Sequence, residues 1–170
     1  WTTTPWTLPS NTALTVGSKI EYVLVDTFNQ YTFESTKVIL AKKLIGKQFG
    51  GKNNIEVETS EELNSYNSGD KKIPFYVIKE FFGKDLIDIK YEQILDYCLP
   101  NDNPQDAFRV ILGDFVTTED GTGIVHTAPT FGADDAIVAK QATPEIPPML
   151  VKDENDNLVP LVDLQGKFRP

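Results

Sequence analysis

Gly121-Thr-Gly-Ile-Val-His126-Thr-Ala-Pro129-Thr-Phe-Gly132-Ala-Asp134-Asp135 holds the only histidine of the chain and reads as a strand, a turn and the start of a helix. Gly123 to Thr127 is short and β-branched, as a strand requires. Pro129 interrupts it, and Ala133 to Lys140 then offers a helix. Asp134 and Asp135 stand at the beginning of that helix, where acids complement the positive end of its dipole. A lone histidine in a strand is commonly a structural group. The same imidazole can also donate at one nitrogen and accept at the other near neutral pH, which suits it to hold a water molecule.

A second stretch, Trp1-Thr-Thr-Thr-Pro-Trp-Thr-Leu-Pro-Ser-Asn11, concentrates hydroxyls, two indoles and an amide. In an extended chain Thr2 and Thr4 face one side and Thr3 the other, while Pro5 keeps Thr4 out of helical geometry. Such a segment lines a pocket, or it is a strand of high β propensity that ends in a proline turn.

Composition narrows the remaining possibilities. The chain has 170 residues, 40% hydrophobic and 24% charged, which fits one globular domain, residues 1–170, with a substantial core. Its apolar runs, such as Tyr22 to Val25 and Pro74 to Ile78, are far shorter than the ~20 residues of a membrane-spanning helix. Met149 is the only methionine, so the chain is expected to be a piece of a longer protein. Cys98 is the only cysteine, so no internal disulfide forms, as suits a reducing cytosol. One His and one Cys make no tetrahedral zinc site without carboxylates, and no metal is expected. A net charge of −9 argues against general nucleic-acid binding. Lys37, Lys42, Lys43, Lys47 and Lys52 form a local basic cluster, either a solvated face or a contact for one RNA end.

Strands are expected at Ala13 to Val16, Glu21 to Thr27, Lys37 to Leu40, Phe75 to Phe82, Leu86 to Tyr91, Arg109 to Thr118 and Gly123 to Thr127. This pattern suggests a barrel or sandwich. Ala41 to Phe49 reads as a short helix stopped by Gly50-Gly51. Residues 50–70 form a polar excursion with a helix near Ser60 to Tyr66, and 153–157 read as a hairpin turn.

Taken together, the Trp1–Asn11 and Gly121–Asp135 stretches resemble the editing domain (connective peptide 1) of isoleucyl-tRNA synthetase, a class I aminoacyl-tRNA synthetase. The likeness extends more loosely over Val110 to Val116 and Pro147 to Gly166. Editing domains of the valyl and leucyl enzymes carry Thr-Thr-Arg-Pro followed by an acidic residue. Here Thr4 and Trp6 hold those positions, which points to the isoleucyl branch. The resemblance implies a mainly β fold with peripheral helices, built as a closed β-barrel. It implies hydrolysis of the ester that joins valine to the 3′ end of mischarged tRNA(Ile), in the cytoplasm. The implied partners are that tRNA end and the remainder of the synthetase, with no membrane and no DNA. Editing takes no cofactor; ATP and metal ions belong to the parent enzyme's synthetic site. The His-Ile-Gly-His and Lys-Met-Ser-Lys-Ser signatures of that site are absent, as is any glycine-rich phosphate loop.

Carried over residue by residue, Asp135 binds the free α-ammonium group through a charge-assisted hydrogen bond, while Asp134 is structural. His126 positions water or the terminal ribose. Thr2, Thr3, Thr4 and Asn11 look like the lining that holds the adenosine end and orders the hydrolytic water, with Thr4 placed alongside His126 and Asp135 in catalysis. Trp6 and Thr7 resemble the residues that contact the bound side chain; core packing is the other reading of Trp6. Some family members have a second histidine where this chain has Phe131, so a two-histidine mechanism is excluded. Water is expected to attack directly, because a threonine nucleophile needs an adjacent base or a free amino terminus. A second class of function, a non-catalytic β-barrel that binds RNA or protein, suits the acidic balance. It leaves the Thr2–Asn11 cluster and the His126–Asp135 spacing without a purpose.

Overall fold

The computed structural model describes residues 2–169; Trp1, the first indole of the opening stretch, and Pro170 lie outside the described residues. In chain order the strands are β1 (Ala13–Val16), β2 (Glu21–Phe28), β3 (Ser35–Ala41), β4 (Asn54–Glu56), β5 (Ile73–Phe82), β6 (Arg109–Leu112), β7 (Ile124–Thr127), β8 (Leu150–Lys152) and β9 (Leu158–Pro160). The α-helices are α1 (Ile45–Phe49) and α2 (Ala133–Gln141). The chain is therefore mostly β with few helices, and it divides into two compact units.

One unit comprises Trp1–Ser18, Leu86–Val116 and Ile124–Pro170. At its centre β1 pairs in parallel with β6 and antiparallel with β7, placing Leu14 opposite His126. The hydroxyls of Thr15 and Thr127 meet at 2.5 Å in the interior and pin β1 to β7. Ala13 and Ile111 from this sheet pack with Val138 and Ala139 of α2 and with Ile146. Met149, Leu161 and Val162 form a second cluster with Cys98, Phe108 and Phe131 packed against it. Arg109 is nearly buried, and its guanidinium reaches Asp88 Oδ1 at 2.6 Å, the Asp106 carbonyl at 3.2 Å and the Pro144 carbonyl. The tail forms the β8–β9 hairpin, its turn held by Asp153, whose Oδ1 accepts the N–H groups of Asn155 and Asn157.

The other unit comprises Lys19–Asp85 and Thr117–Gly123. Its sheet runs β3-β2-β5-β4, with a register shift at Leu24/Val25 and a parallel β4–β5 pair. The returning segment 117–123 is tied in where Tyr22 donates its hydroxyl to the Gly123 carbonyl at 2.6 Å and Ala41 N–H donates to Thr122 O at 2.8 Å. Gly123 has φ +74°, and a Cβ there would lie 2.5 Å from that of Ala41, so only glycine fits. In the basic cluster, Lys42 pairs with Glu80 at 2.5 Å and Lys47 with Asp120 at 2.8 Å.

Several expectations are corrected. The sheets contain three, four and two strands, and none closes into a barrel among the described residues. The expected strand Leu86 to Tyr91 is instead a loop beside β6. Asp88 donates to Val110, Val110 to Ile89 and Tyr91 to Phe108, yet Asp88 (φ 62°) and Phe108 (φ 58°) are left-handed. Those kinks stop the regular ladder that closure requires. Strand β6 ends at Leu112 rather than Thr118. The helix expected over Ala41 to Phe49 shortens to a 3-10 turn and α1, and Ser60–Ser65 is also 3-10, with Thr59 and Glu62 forming a capping box. The polar stretch 50–70 thus carries β4 and this turn.

Candidate functional site

Local chemistry turns the opening stretch into a 3-10 helix, Pro5–Ser10, rather than a strand. Pro5 presets φ at the first helical position, Thr7 N–H donates to Thr4 O at 3.1 Å, and Asn11 N–H to Leu8 O at 3.0 Å. Pro9 has no N–H with which to extend the ladder. The tight turn folds the threonines onto one another. Thr2 Oγ1 accepts the Thr4 N–H at 3.0 Å and lies 3.4 Å from Thr4 Oγ1. Thr7 is buried, and its hydroxyl donates to Thr4 O at 2.9 Å, with Thr4 Oγ1 a further 3.4 Å contact.

Strand β7 presents His126 to this cluster, its Nε2 2.9 Å from Thr7 Oγ1. No hydrogen bond joins the imidazole to Thr4 among the described residues. Burial holds His126 below the usual histidine pKa, against the opposing pull of the nearby Asp135 charge. The ring is therefore neutral at physiological pH.

The two helix-start acids part company. Asp134 is exposed; Asp135 is half-buried, and its Oδ2 accepts the Ala128 N–H at 2.9 Å. Asp135 thereby ties the first turn of α2 to the end of β7. Its Oδ1 has no hydrogen-bond partner among the described residues. A Cβ on Gly132 would stand 2.8 Å from Asp135 Oδ2, so glycine leaves room for the carboxylate. Trp6 is 51% exposed, which removes the core-packing reading. Thr3 is exposed and makes no hydrogen bond among the described residues.

Asn11 sits apart from the threonine cluster in its bonding. Its Nδ2 donates to Ala13 O at 2.6 Å and Thr127 O at 3.3 Å, and its Oδ1 accepts the Tyr91 hydroxyl at 2.6 Å. Both amide N–H groups and one lone pair of Oδ1 thus go to protein partners. Tyr91, which carried no signal in the sequence, is buried enough to push its phenol well above the usual range, against the opposing effect of the Asn11 hydrogen bond. The structure thus brings Thr2, Thr4, Thr7, His126 and Asp135 together, with Trp6 exposed beside Thr7. No cluster of three or more His, Cys, Asp or Glu side chains suited to a metal occurs among the described residues. Cys98 faces Met149 Sδ at 4.0 Å, and burial pushes its thiol pKa up, so it is no activated nucleophile.

No protein-family model matches the chain. It is 58% identical over 168 residues to the isoleucine–tRNA ligase of Cytophaga hutchinsonii, a match over 99% of the chain and 14% of that protein. The isoleucine–tRNA ligase of Bacteroides fragilis is 54% identical over 168 residues, with the same coverage of 99% and 14%. The chain matches one segment of isoleucine–tRNA ligase. It spans 14% of the length of these curated ligases. Among solved structures it is similar to the crystal structure of GlLeuRS-CP1, with a TM-score of 0.52 at 18% identity over 82% of this chain and 42% of that one. At that identity the likeness speaks for the fold alone: the chain has a CP1-like, mostly β architecture.

Proposed function

We propose that the chain hydrolyses the aminoacyl ester of tRNA(Ile) mischarged with valine, proofreading isoleucyl-tRNA after transfer. The reading rests above all on the contact between the threonine cluster and a neutral His126 in the unit that also holds the half-buried Asp135. The match to isoleucine–tRNA ligases supports a tRNA(Ile) substrate. Asp135 takes the α-ammonium on Oδ1 while Ala128 N–H fixes Oδ2. Thr2 and Thr4 order the hydrolytic water and the terminal adenosine, with Thr3 on the exposed side. His126 accepts a hydrogen bond from that water or from the ribose. Asn11 contributes by holding the start of β1 against β7.

Trp6 and Thr7 form the wall that meets the amino-acid side chain. A second site is needed because one methylene is worth only ~1–3 kcal/mol in a binding pocket, the separation of isoleucine from valine by this enzyme family being the familiar instance of that limit. The site acts in the cytoplasm as part of a ligase, on the tRNA 3′ end, and needs no cofactor. Deacylation of valyl-tRNA(Ile) by the chain, with release of free valine followed against a no-enzyme control, tests the reading. Binding without hydrolysis would leave the non-catalytic module in its place.

A further inference from the structure

The Thr7 hydroxyl has two short contacts and one proton. Thr4 O, 2.9 Å away, is a carbonyl and only accepts, so that contact uses the Thr7 proton. His126 Nε2, also 2.9 Å away, then has no proton coming to it from Thr7 and must bring its own. The reverse assignment, Thr7 donating to Nε2, would leave two oxygens 2.9 Å apart with no proton between them. The Thr7 N–H to the same carbonyl at 3.1 Å does not compete, since a carbonyl oxygen has two lone pairs. Thr4 Oγ1, at 3.4 Å, can only supplement these bonds.

We infer that Thr7 is a positioning residue: it anchors His126 as the Nε2–H tautomer and so makes Nδ1 the ring's only proton acceptor. Any water or hydroxyl that gives its proton to the imidazole must do so at Nδ1. This assigns Thr7 work beyond lining a side-chain pocket, and it gives the Pro5–Ser10 turn a purpose, since that turn delivers the Thr4 carbonyl that consumes the Thr7 proton. The catalytic significance rests on the hydrolytic reading above; the tautomer itself does not.

The chain contains a single histidine, so its imidazole gives one set of nitrogen signals in the full 170-residue protein. Histidine labelled with 15N, observed at neutral pH without substrate, should show a lone-pair nitrogen at Nδ1 and a slowly exchanging proton on Nε2. Thr7→Val should lose that protection from exchange, and Thr7→Ser should restore it. A lone pair at Nε2 in the wild type, or unchanged exchange in folded Thr7→Val, overturns the inference. In valyl-tRNA(Ile) deacylation, Thr7→Val should lower kcat about tenfold, equivalent to ~1.4 kcal/mol, with Thr7→Ser near wild type. A wild type with the stated tautomer but no deacylation would sink the hydrolytic reading and leave the anchoring role of Thr7 supported.

Discussion

Replacing Asp135 separates its observed bond to Ala128 from its proposed contact with the substrate. Its Oδ2 accepts the N–H of Ala128, a residue only 1% exposed, at 2.9 Å. In Asp135→Ala that buried donor loses its partner, at a cost of ~1–3 kcal/mol in stability. The α-ammonium of the substrate loses a charge-assisted partner as well, worth ~1.5–3 kcal/mol, or roughly 10- to 150-fold in affinity. Asp135→Asn divides the effects: an amide oxygen still accepts from Ala128, so the melting temperature should stay near wild type, but the negative charge is gone. Titration calorimetry with a non-hydrolysable valyl-adenosine analogue, and with its des-amino counterpart, reads the second term. Wild type should prefer the amino form and Asp135→Asn should not. Equal preference in both proteins would refute the assignment, and Asp134→Ala, at an exposed position, serves as the control that leaves the preference intact.

Other outcomes follow from the same structure. Gly123→Ala forces a Cβ to 2.5 Å from Ala41 Cβ at φ +74° and should cost about 2–5 kcal/mol, read by thermal or urea unfolding. His126 has a folded-state pKa below its unfolded value, so the unfolded chain binds the extra proton; stability is complete above the unfolded pKa and falls as pH drops through it toward the folded value. Urea midpoints taken from about pH 7.5 to about pH 5 should therefore decline more in wild type than in His126→Gln. Trimming the side-chain wall in Thr7→Ala or Trp6→Ala should admit isoleucyl esters, shifting the valyl-to-isoleucyl deacylation ratio by up to ~1–3 kcal/mol. An unchanged ratio in both folded variants would move the sieve elsewhere.

What the sequence disclosed and what it withheld divide along chain separation. The strand, turn and helix of Ile124–Gln141 were legible because Pro129, Gly132 and the first-turn acids act on their immediate neighbours. So was the β8–β9 hairpin, whose turn is held by bonds among neighbours in residues 152–157, Asp153 foremost. In the opening stretch Thr4 stays non-helical ahead of Pro5, as the sequence implies. The 3-10 form of Pro5–Ser10 is not encoded by a run of threonines that equally suits a pocket lining or a strand ending in a proline turn. The contact between Thr7 and His126 spans 119 positions and that between Asn11 and Tyr91 spans 80, and no local pattern encodes either. Barrel closure failed for a similar reason: left-handed Asp88 and Phe108 break the ladder beside β6, and neither is a residue type that announces such a turn with certainty.

The proposed function is hydrolysis of valyl esters of tRNA(Ile), with isoleucyl ones spared, by this hydroxyl, imidazole and carboxylate constellation. Its most direct test is the rate at which the purified chain releases valine from valyl-tRNA(Ile), compared with isoleucine from isoleucyl-tRNA(Ile) under the same conditions. Valine release should run well above the uncatalysed rate and at least about fivefold faster than isoleucine release, the lower bound of ~1 kcal/mol for one methylene. Equal rates for the two esters, or valine release no faster than in buffer, would contradict it.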